Sequence, residues 1–350
     1  MDHHQHEQQQ QGLGEALGRL RSAMAPEAVA RAERLGRINR AYVRTGRDKQ
    51  LAAAFDSLVE SALASESGQS SKRRALFVVG DSGSGKTTAI QKHISERREF
   101  DAWVAEDGEV VRPLVSFEAP KPLTLKLLAT KALEAIGYKL HGHIQENQAW
   151  DLLKRQLRER RVLFLHIDEM QHVIRGNKEA AIQNLADTVK SLLQIPGWPL
   201  HVIFSGVPSL AKFLRHETQL RNRSLVVRFD PLAFPEHATL VRACAGRIIE
   251  SDAGLKAEGV LEDEVLHRLI HASEGAFGTL IQFVRAAAED MLRSGGDAVT
   301  PASFARAYRL LTGCPDSQNV FLVADWLSVE PANALASLIE EYDRSQEGSR

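Results

Sequence analysis

Cysteine is nearly absent. Only Cys244 and Cys314 occur in 350 residues, far apart and without metal-ligand spacing. That excludes a disulfide framework and points to reduced thiols in a cytosolic protein. Neither sign of charge is in excess: 44 Lys and Arg stand against 45 Asp and Glu, so no global basic field attracts nucleic acid, and any such contact must be a local patch. No apolar run approaches the roughly eighteen residues of a spanning helix, and the N-terminus lacks a signal peptide's apolar core. The expected location is the cytoplasm, with no membrane partner. No internal repeat is visible, which argues against a long repeat array. What is present, 43% apolar and 25% charged residues, is the balance of a globular chain with room for one large domain and a smaller one.

One stretch organises the rest. Leu76 to Val79 is a short apolar run, Gly80-Asp81-Ser82-Gly83-Ser84-Gly85-Lys86-Thr87 follows, and Thr88-Ala-Ile90 opens a helical pattern. The spacing G-x-x-x-x-G-K-[ST] is that of a phosphate-binding loop. Gly80 and Gly85 let backbone N–H groups turn inward onto phosphate oxygens at a helix N-terminus. Lys86 can reach the β- and γ-phosphates, and the Thr87 hydroxyl can take one position on Mg²⁺. Residues 80–88 are therefore read as a nucleotide site for ATP with Mg²⁺.

A second apolar run, Val162 to Ile167, ends in Asp168-Glu169. This reads as a buried central strand carrying two carboxylates at its C-terminal edge, where open α/β sheets bind ligands. Downstream of such a loop, Asp168 is expected to hold Mg²⁺ indirectly, through the groups bound to the metal, and Glu169 is the base that polarises the attacking water. His166, inside the run, is read as a hydrogen-bonded core residue. A third strand, Leu200 to Phe204, leads into Ser205, a small polar side chain suited to touch the γ-phosphate or the lytic water. After a further helix come Arg221-Asn-Arg223 and a last strand, Leu225 to Phe229. Either arginine could reach a neighbouring subunit's γ-phosphate as a finger, with Arg223 slightly preferred, and either could be a surface ion-pair residue.

The remaining pattern sets the domain expectations. Residues 1–25, with His3, His4, His6 and a glutamine run, read as a disordered polar tail rather than a loose metal site. Residues 26–71 read as a helical arm and Ser/Gly linker, where many ATPases contact the base. The α/β core is expected over 72–230, with a hairpin at Asp107-Gly108. Helices alone are expected over 231–312, and a tail over 313–350, either a docking peptide or a segment packed on the lid. Strands first and helices afterwards predict a three-layer core with a parallel sheet, followed by a small helical lid.

Taken together, the strand–loop–helix, the strand ending Asp-Glu, the polar sensor strand, the trailing arginine and the lid resemble the AAA+ ATPases over roughly residues 30–312. Within that group the chain most resembles the TniB/TnsC transposition regulators, relatives of the phage Mu B protein. Arg37-Ile-Asn-Arg40-Ala-Tyr42, Asp168-Glu169-Met-Gln171-His172, Phe204-Ser-Gly206-Val-Pro208-Ser-Leu210, Gln219-Leu-Arg-Asn-Arg223, Cys314 and Asn319-Val-Phe321 carry that likeness through their order and spacing. The resemblance implies an ATP-dependent protein that oligomerises on duplex DNA as a ring or filament and recruits a transposase, with a target-selection protein as a further partner. It implies ATP between subunits and slow hydrolysis stimulated by DNA or a partner. Where many AAA+ members carry a lid arginine after a glycine, this chain has Gly275-Ala-Phe-Gly278-Thr279. Within such an assembly Lys121, Lys126, Arg175 and Lys178 are the expected phosphate contacts, indifferent to base sequence. Other readings are a loader-type nucleic-acid ATPase, a nucleotide-gated signalling or defence switch, and a small-molecule kinase.

Overall fold

The structure, a computed structural model, describes residues 2–65, 74–121, 124–170, 179–210, 214 and 218–333; the side chains of 2–11, 179–182, 218 and 219 lie outside that description. The chain divides into two compact units. One is formed by residues 44–231 and 276–278, the other by 1–43, 232–275 and 279–350.

The first unit is built on five parallel strands: β1 (Ala75–Gly80), β4 (Leu114–Glu118), β5 (Phe164–Asp168), β6 (His201–Gly206) and β7 (Ser224–Phe229). They lie in the order β4-β5-β6-β1-β7, so β1 sits between the strand ending in Ser205 and Gly206 and the last strand. Every residue of β1, β5 and β6 is buried, as expected of parallel strands covered on both faces. On one face Phe77, Leu165, Ile167, Val202 and Phe204 pack with α5 (Leu125–Ala135), α6 (Glu146–Glu159) and α7 (Glu179–Leu192). Helices α3 (Gly46–Ala64) and α4 (Lys86–Ser95) pack on the same sheet, where Phe164 meets Phe100 and His201, and Phe100 meets Phe55. The three layers follow from apolar strands alternating with amphipathic helices.

Local signals set the element ends. Thr45 caps α3, with Asp48 returning the bond to the Thr45 N–H, a capping box. The Thr124 hydroxyl accepts from Leu127 N at the start of α5. The two-residue strands β2 (Trp103–Val104) and β3 (Val110–Val111) pair antiparallel around Asp107-Gly108, the hairpin that dipeptide predicts.

The second unit holds α1 (Asp2–Ala23), α2 (Pro26–Arg40), α9 (Ala238–Gly246), α10 (Asp263–Ala272), α12 (Pro301–Thr312) and most of α11 (Phe277–Ser294); a short helix, α8 (Thr218–Arg221), belongs to the first unit. Three expectations change here, and one that the sequence left open is decided for the residues described. Residues 1–25, read as disordered, contain α1: polar composition argues against a core, not against a helix, and no proline interrupts the Gln, Glu, Leu, Ala and Arg formers before Pro26. The expected arm of 26–71 is split, because α2 joins the helical unit while α3 joins the sheet. Arg34 donates to Ala253 O, Asn39 to Glu289, and Arg285 to Ala41 O, contacts that periodicity cannot foretell. The region expected to be all helical also contains a parallel pair of two-residue strands, β8 (Lys256–Ala257) and β9 (Ala298–Val299), too short to leave a period-two pattern. Finally, residues 313–333 pack on this unit: Arg268 donates to Val320 O and Val323 O and lies over the Trp326 ring, and Phe321 meets Phe304 and Tyr308. Residues 66–71 of the linker and 334–350 of the tail lie outside the described residues.

Candidate functional site

The loop between β1 and α4 has the form its glycines require. Gly85 caps α4 with φ +90°, a conformation that costs a residue with a Cβ about 1–2 kcal/mol. At Gly80 a Cβ would stand 2.7 Å from the carbonyl oxygen of Phe229 on β7 and 3.0 Å from Ser84 Oγ. Lys86, the first residue of α4, is 6% exposed. Its ammonium donates to Gly80 O at 2.8 Å, Asp81 O at 2.8 Å and Ser84 Oγ at 3.3 Å, so its three protons stay on the loop. Burial pulls the Lys86 pKa below its ordinary value, against the opposing pull of Asp168, Glu169 and Asp81. Asp81, Ser82, Gly83 and Thr88 are exposed, and Thr87 is half-buried.

The strand ending in two acids meets this loop. The Thr87 hydroxyl donates to Asp168 Oδ2 at 2.7 Å. Asp168 Oδ1 accepts from the Ser205 hydroxyl at 2.5 Å and from Glu169 N–H at 2.9 Å. Burial alone would raise the Asp168 pKa, but the Ser205 and Thr87 hydrogen bonds, His166 and the Glu169 N–H outweigh it and hold the carboxyl below its usual value. Glu169 adopts φ +58°, an unfavourable conformation for a residue with a Cβ, and strain of this kind collects at functional positions. Thr87, Asp168, Glu169 and Ser205 thus share the C-terminal edge of the sheet. A hydroxyl and a carboxylate in hydrogen-bond contact beneath a glycine loop are hard oxygen donors that suit Mg²⁺. A Cβ at Gly80 would run into Phe229 and Ser84, so only glycine lets the loop leave β1 at this point and turn its backbone N–H groups toward a phosphate chain.

His166 is 1% exposed. Its Nε2 lies 2.8 Å from Ser205 Oγ, and its Nδ1 lies 2.7 Å from Ser116 Oγ on β4. Burial draws its pKa down to about 4, against the pull of Asp168. The reading as a hydrogen-bonded core residue fits these contacts, but the partner on one side is the carboxylate of the candidate metal site through a single hydroxyl.

Sequence reasoning missed two residues. Arg47 lies over the rings of Phe229 and Phe277, 5.7 and 5.8 Å from their centroids, and donates to Asp230 O. Phe229 is the residue that crowds Gly80, and Phe277 is the nearest side chain to Gly85, so the guanidinium stands beside the loop. Its Nη1 is buried without a partner among the described residues. The second is Gly278: a Cβ there would lie 2.5 Å from Gly83 O and 3.3 Å from Gly85 N. Backbone packing on the loop therefore stands in the glycine-rich stretch where a lid arginine was sought. Only tertiary contact reveals either role.

Other candidates lie apart. Ser224 pairs with Ala75, and Phe229 with Gly80, so Arg223 sits at the opposite edge of the sheet, about 20 Å along the strand from Gly80 at ~3.3 Å per residue. Arg221, one turn earlier, is exposed. Neither belongs to its own subunit's loop site. Lys121 is exposed and pairs with Glu118 at 3.5 Å, and Lys126 Nζ lies 3.2 Å from His143 Nε2. Arg175 and Lys178, with Gln171 and His172, lie outside the described residues.

The sequence-family model for the bacterial TniB protein matches residues 40–237. No curated protein matches the chain. Among solved structures it is similar to Cdc6p from Pyrobaculum aerophilum, at 15% identity and a TM-score of 0.54 over 82% of this chain and 76% of that one. It is also similar to the Aeropyrum pernix ORC2 protein in ADPNP–ADP complexes, at 14% identity and 0.53 over 80% and 73%. The Aeropyrum pernix ORC1 protein in complex with DNA matches at 14% and 0.52 over 78% and 66%. At these identities the likeness is one of fold.

Proposed function

This chain belongs to the bacterial TniB protein family and has the AAA+ P-loop fold, and from that premise we propose that it is an ATP-dependent, DNA-binding regulator of transposition. In this reading it oligomerises on target DNA and recruits or activates a transposase. The observation that carries the nucleotide half is the meeting of Thr87 and Asp168, 2.7 Å apart, beside a loop whose lysine is buried and tied to loop oxygens.

Gly80 to Thr88 wrap the phosphates of ATP. Lys86 exchanges its loop carbonyls for β- and γ-phosphate oxygens, which offer the buried ammonium a full negative charge. Thr87 and Asp168 hold Mg²⁺, which when bound neutralises charge developing on the β- and γ-oxygens. Glu169 orients the attacking water and accepts its proton. Ser205 steadies the same edge. Arg47, with a free N–H beside the loop, stacks on or donates to the base. Arg223, or Arg221, serves a neighbouring subunit's ATP, because the opposite sheet edge keeps both from their own. Lys121 and Lys126, with Arg175 and Lys178, contact DNA phosphates. Fold likeness to a protein whose structure holds DNA is compatible with that last role, and the family membership supports the transposition context.

The test is ATP turnover with and without duplex DNA. Wild-type protein should hydrolyse ATP slowly and faster with DNA. Lys86→Ala should lose binding and turnover together, whereas Glu169→Gln should keep binding and lose turnover by roughly 10²–10⁴-fold, the usual weight of a general base. Unchanged turnover in Glu169→Gln would remove it from the base role.

A further inference from the structure

A line of hydrogen bonds, buried at its centre, crosses the α4 side of the sheet. It runs from Ser116 on β4 through His166 on β5 and Ser205 on β6 to Asp168, and from Asp168 to Thr87 on α4. The register explains the alignment: Ser116 pairs with His166 and Glu118 with Asp168, while Ile203 pairs with His166. Residues two apart in parallel strands share a face, so His166, Asp168 and Ser205 lie on one side.

Donor counting gives the line one direction. Ionised Asp168 only accepts, so the Ser205 hydroxyl spends its single proton on Oδ1. Ser205 Oγ can then only accept from His166, which puts the proton of a neutral imidazole on Nε2. Nδ1 is left as the acceptor for the Ser116 hydroxyl. A Ser205 held this way has no proton for a phosphate oxygen. It acts through the carboxylate.

We propose that His166 is a positioning residue: by donating from Nε2 to Ser205 Oγ it fixes that hydroxyl as a donor to Asp168 Oδ1, and so keeps Oδ2 on the Thr87 hydroxyl, the pair that would hold the Mg²⁺ of a bound nucleotide. This rests on the reading of Thr87 and Asp168 as the Mg²⁺ ligands. Groups that orient a metal-binding carboxylate typically carry ~10–100-fold in metal affinity when removed. A phenylalanine at 166 fills the same space without the donor, whereas glutamine returns an N–H to nearly the position of Nε2.

The experiment measures affinity for a fluorescent ATP analogue in Mg²⁺ and in chelator, on the full chain, for wild type, His166→Phe, His166→Gln and Lys86→Ala. Wild type should bind more tightly with Mg²⁺. His166→Phe should bind as wild type does in chelator yet lose about tenfold or more of the Mg²⁺ gain, with His166→Gln restoring most of it. If wild type gains nothing from Mg²⁺, the metal reading fails and the proposal with it. If wild type gains and His166→Phe gains equally, the positioning role alone is overturned. Nitrogen-15 NMR of histidine-labelled wild-type protein reads the same claim without a variant fold. Neutral His166, assigned by the signal His166→Gln removes, should carry its proton on Nε2, and an Nδ1–H tautomer would overturn the proposal.

Discussion

His201 opens β6 with 0% exposure. Its Nδ1 donates to Pro199 O at 2.8 Å, and its Nε2 lies 3.1 Å from Ser61 Oγ on α3. Burial, aided by Arg74 and opposed by the Pro199 bond, draws its pKa to about 4 from an ordinary 6.5. Below pH 6.5 the unfolded chain binds a proton that the folded chain refuses until about pH 4. Stability therefore falls as pH drops through that window, while above it this group adds no pH dependence. At ~1.4 kcal/mol per pH unit the loss is on the order of 2–3 kcal/mol. Urea unfolding at pH 7 and 4.5 should show His201→Gln to be clearly less acid-sensitive than wild type; equal sensitivity in both would contradict the assignment. At this scale the sequence told most about residues whose chemistry depends on chain neighbours. The loop glycines, Lys86 and Thr87 sit in one motif, and Asp168 and Glu169 end one apolar run. Arg47 gave no signal, because its role depends on Phe229 and Phe277, far along the chain. His166 was legible as a core residue but not as a partner of Ser205, which needs the strand order.

At the scale of elements, α11 starts against the phosphate loop. The Gly278 approach to Gly83 O leaves no room for a methyl group, and the neighbour is backbone that cannot rotate aside. Forcing one in costs about 1–3 kcal/mol, and the loop geometry bears it. Gly278→Ala should weaken nucleotide binding about tenfold in a fluorescence titration, and wild-type affinity would show that the approach is slack. The strands and helices of the sheet unit were readable because each carries a run or a face of its own. Thr124 and Gly137 bound α5, and Asp107-Gly108 turns β2 into β3. What escaped were elements that exist only through partners. Strands β8 and β9 have two residues each. Helix α1 was hidden behind a composition that reads as disorder.

For the whole molecule, two units and one site at a sheet edge frame the account. The α/β unit assembles the loop, both acids and Ser205 at one sheet edge, while Arg221 and Arg223 stand at the other. In the proposed assembly such an arginine serves a neighbour's loop, which couples turnover to assembly. The division into units was only partly legible. Periodicity located α2 and α3 but could not say that α2 belongs with the later helices, since Arg34 and Asn39 find their partners more than two hundred residues away. The most direct test is electron microscopy of negatively stained protein with duplex DNA and Mg²⁺, in ATP and in ADP. The account predicts rings or filaments on DNA with ATP and none with ADP. Single, monodisperse subunits in both samples would contradict it.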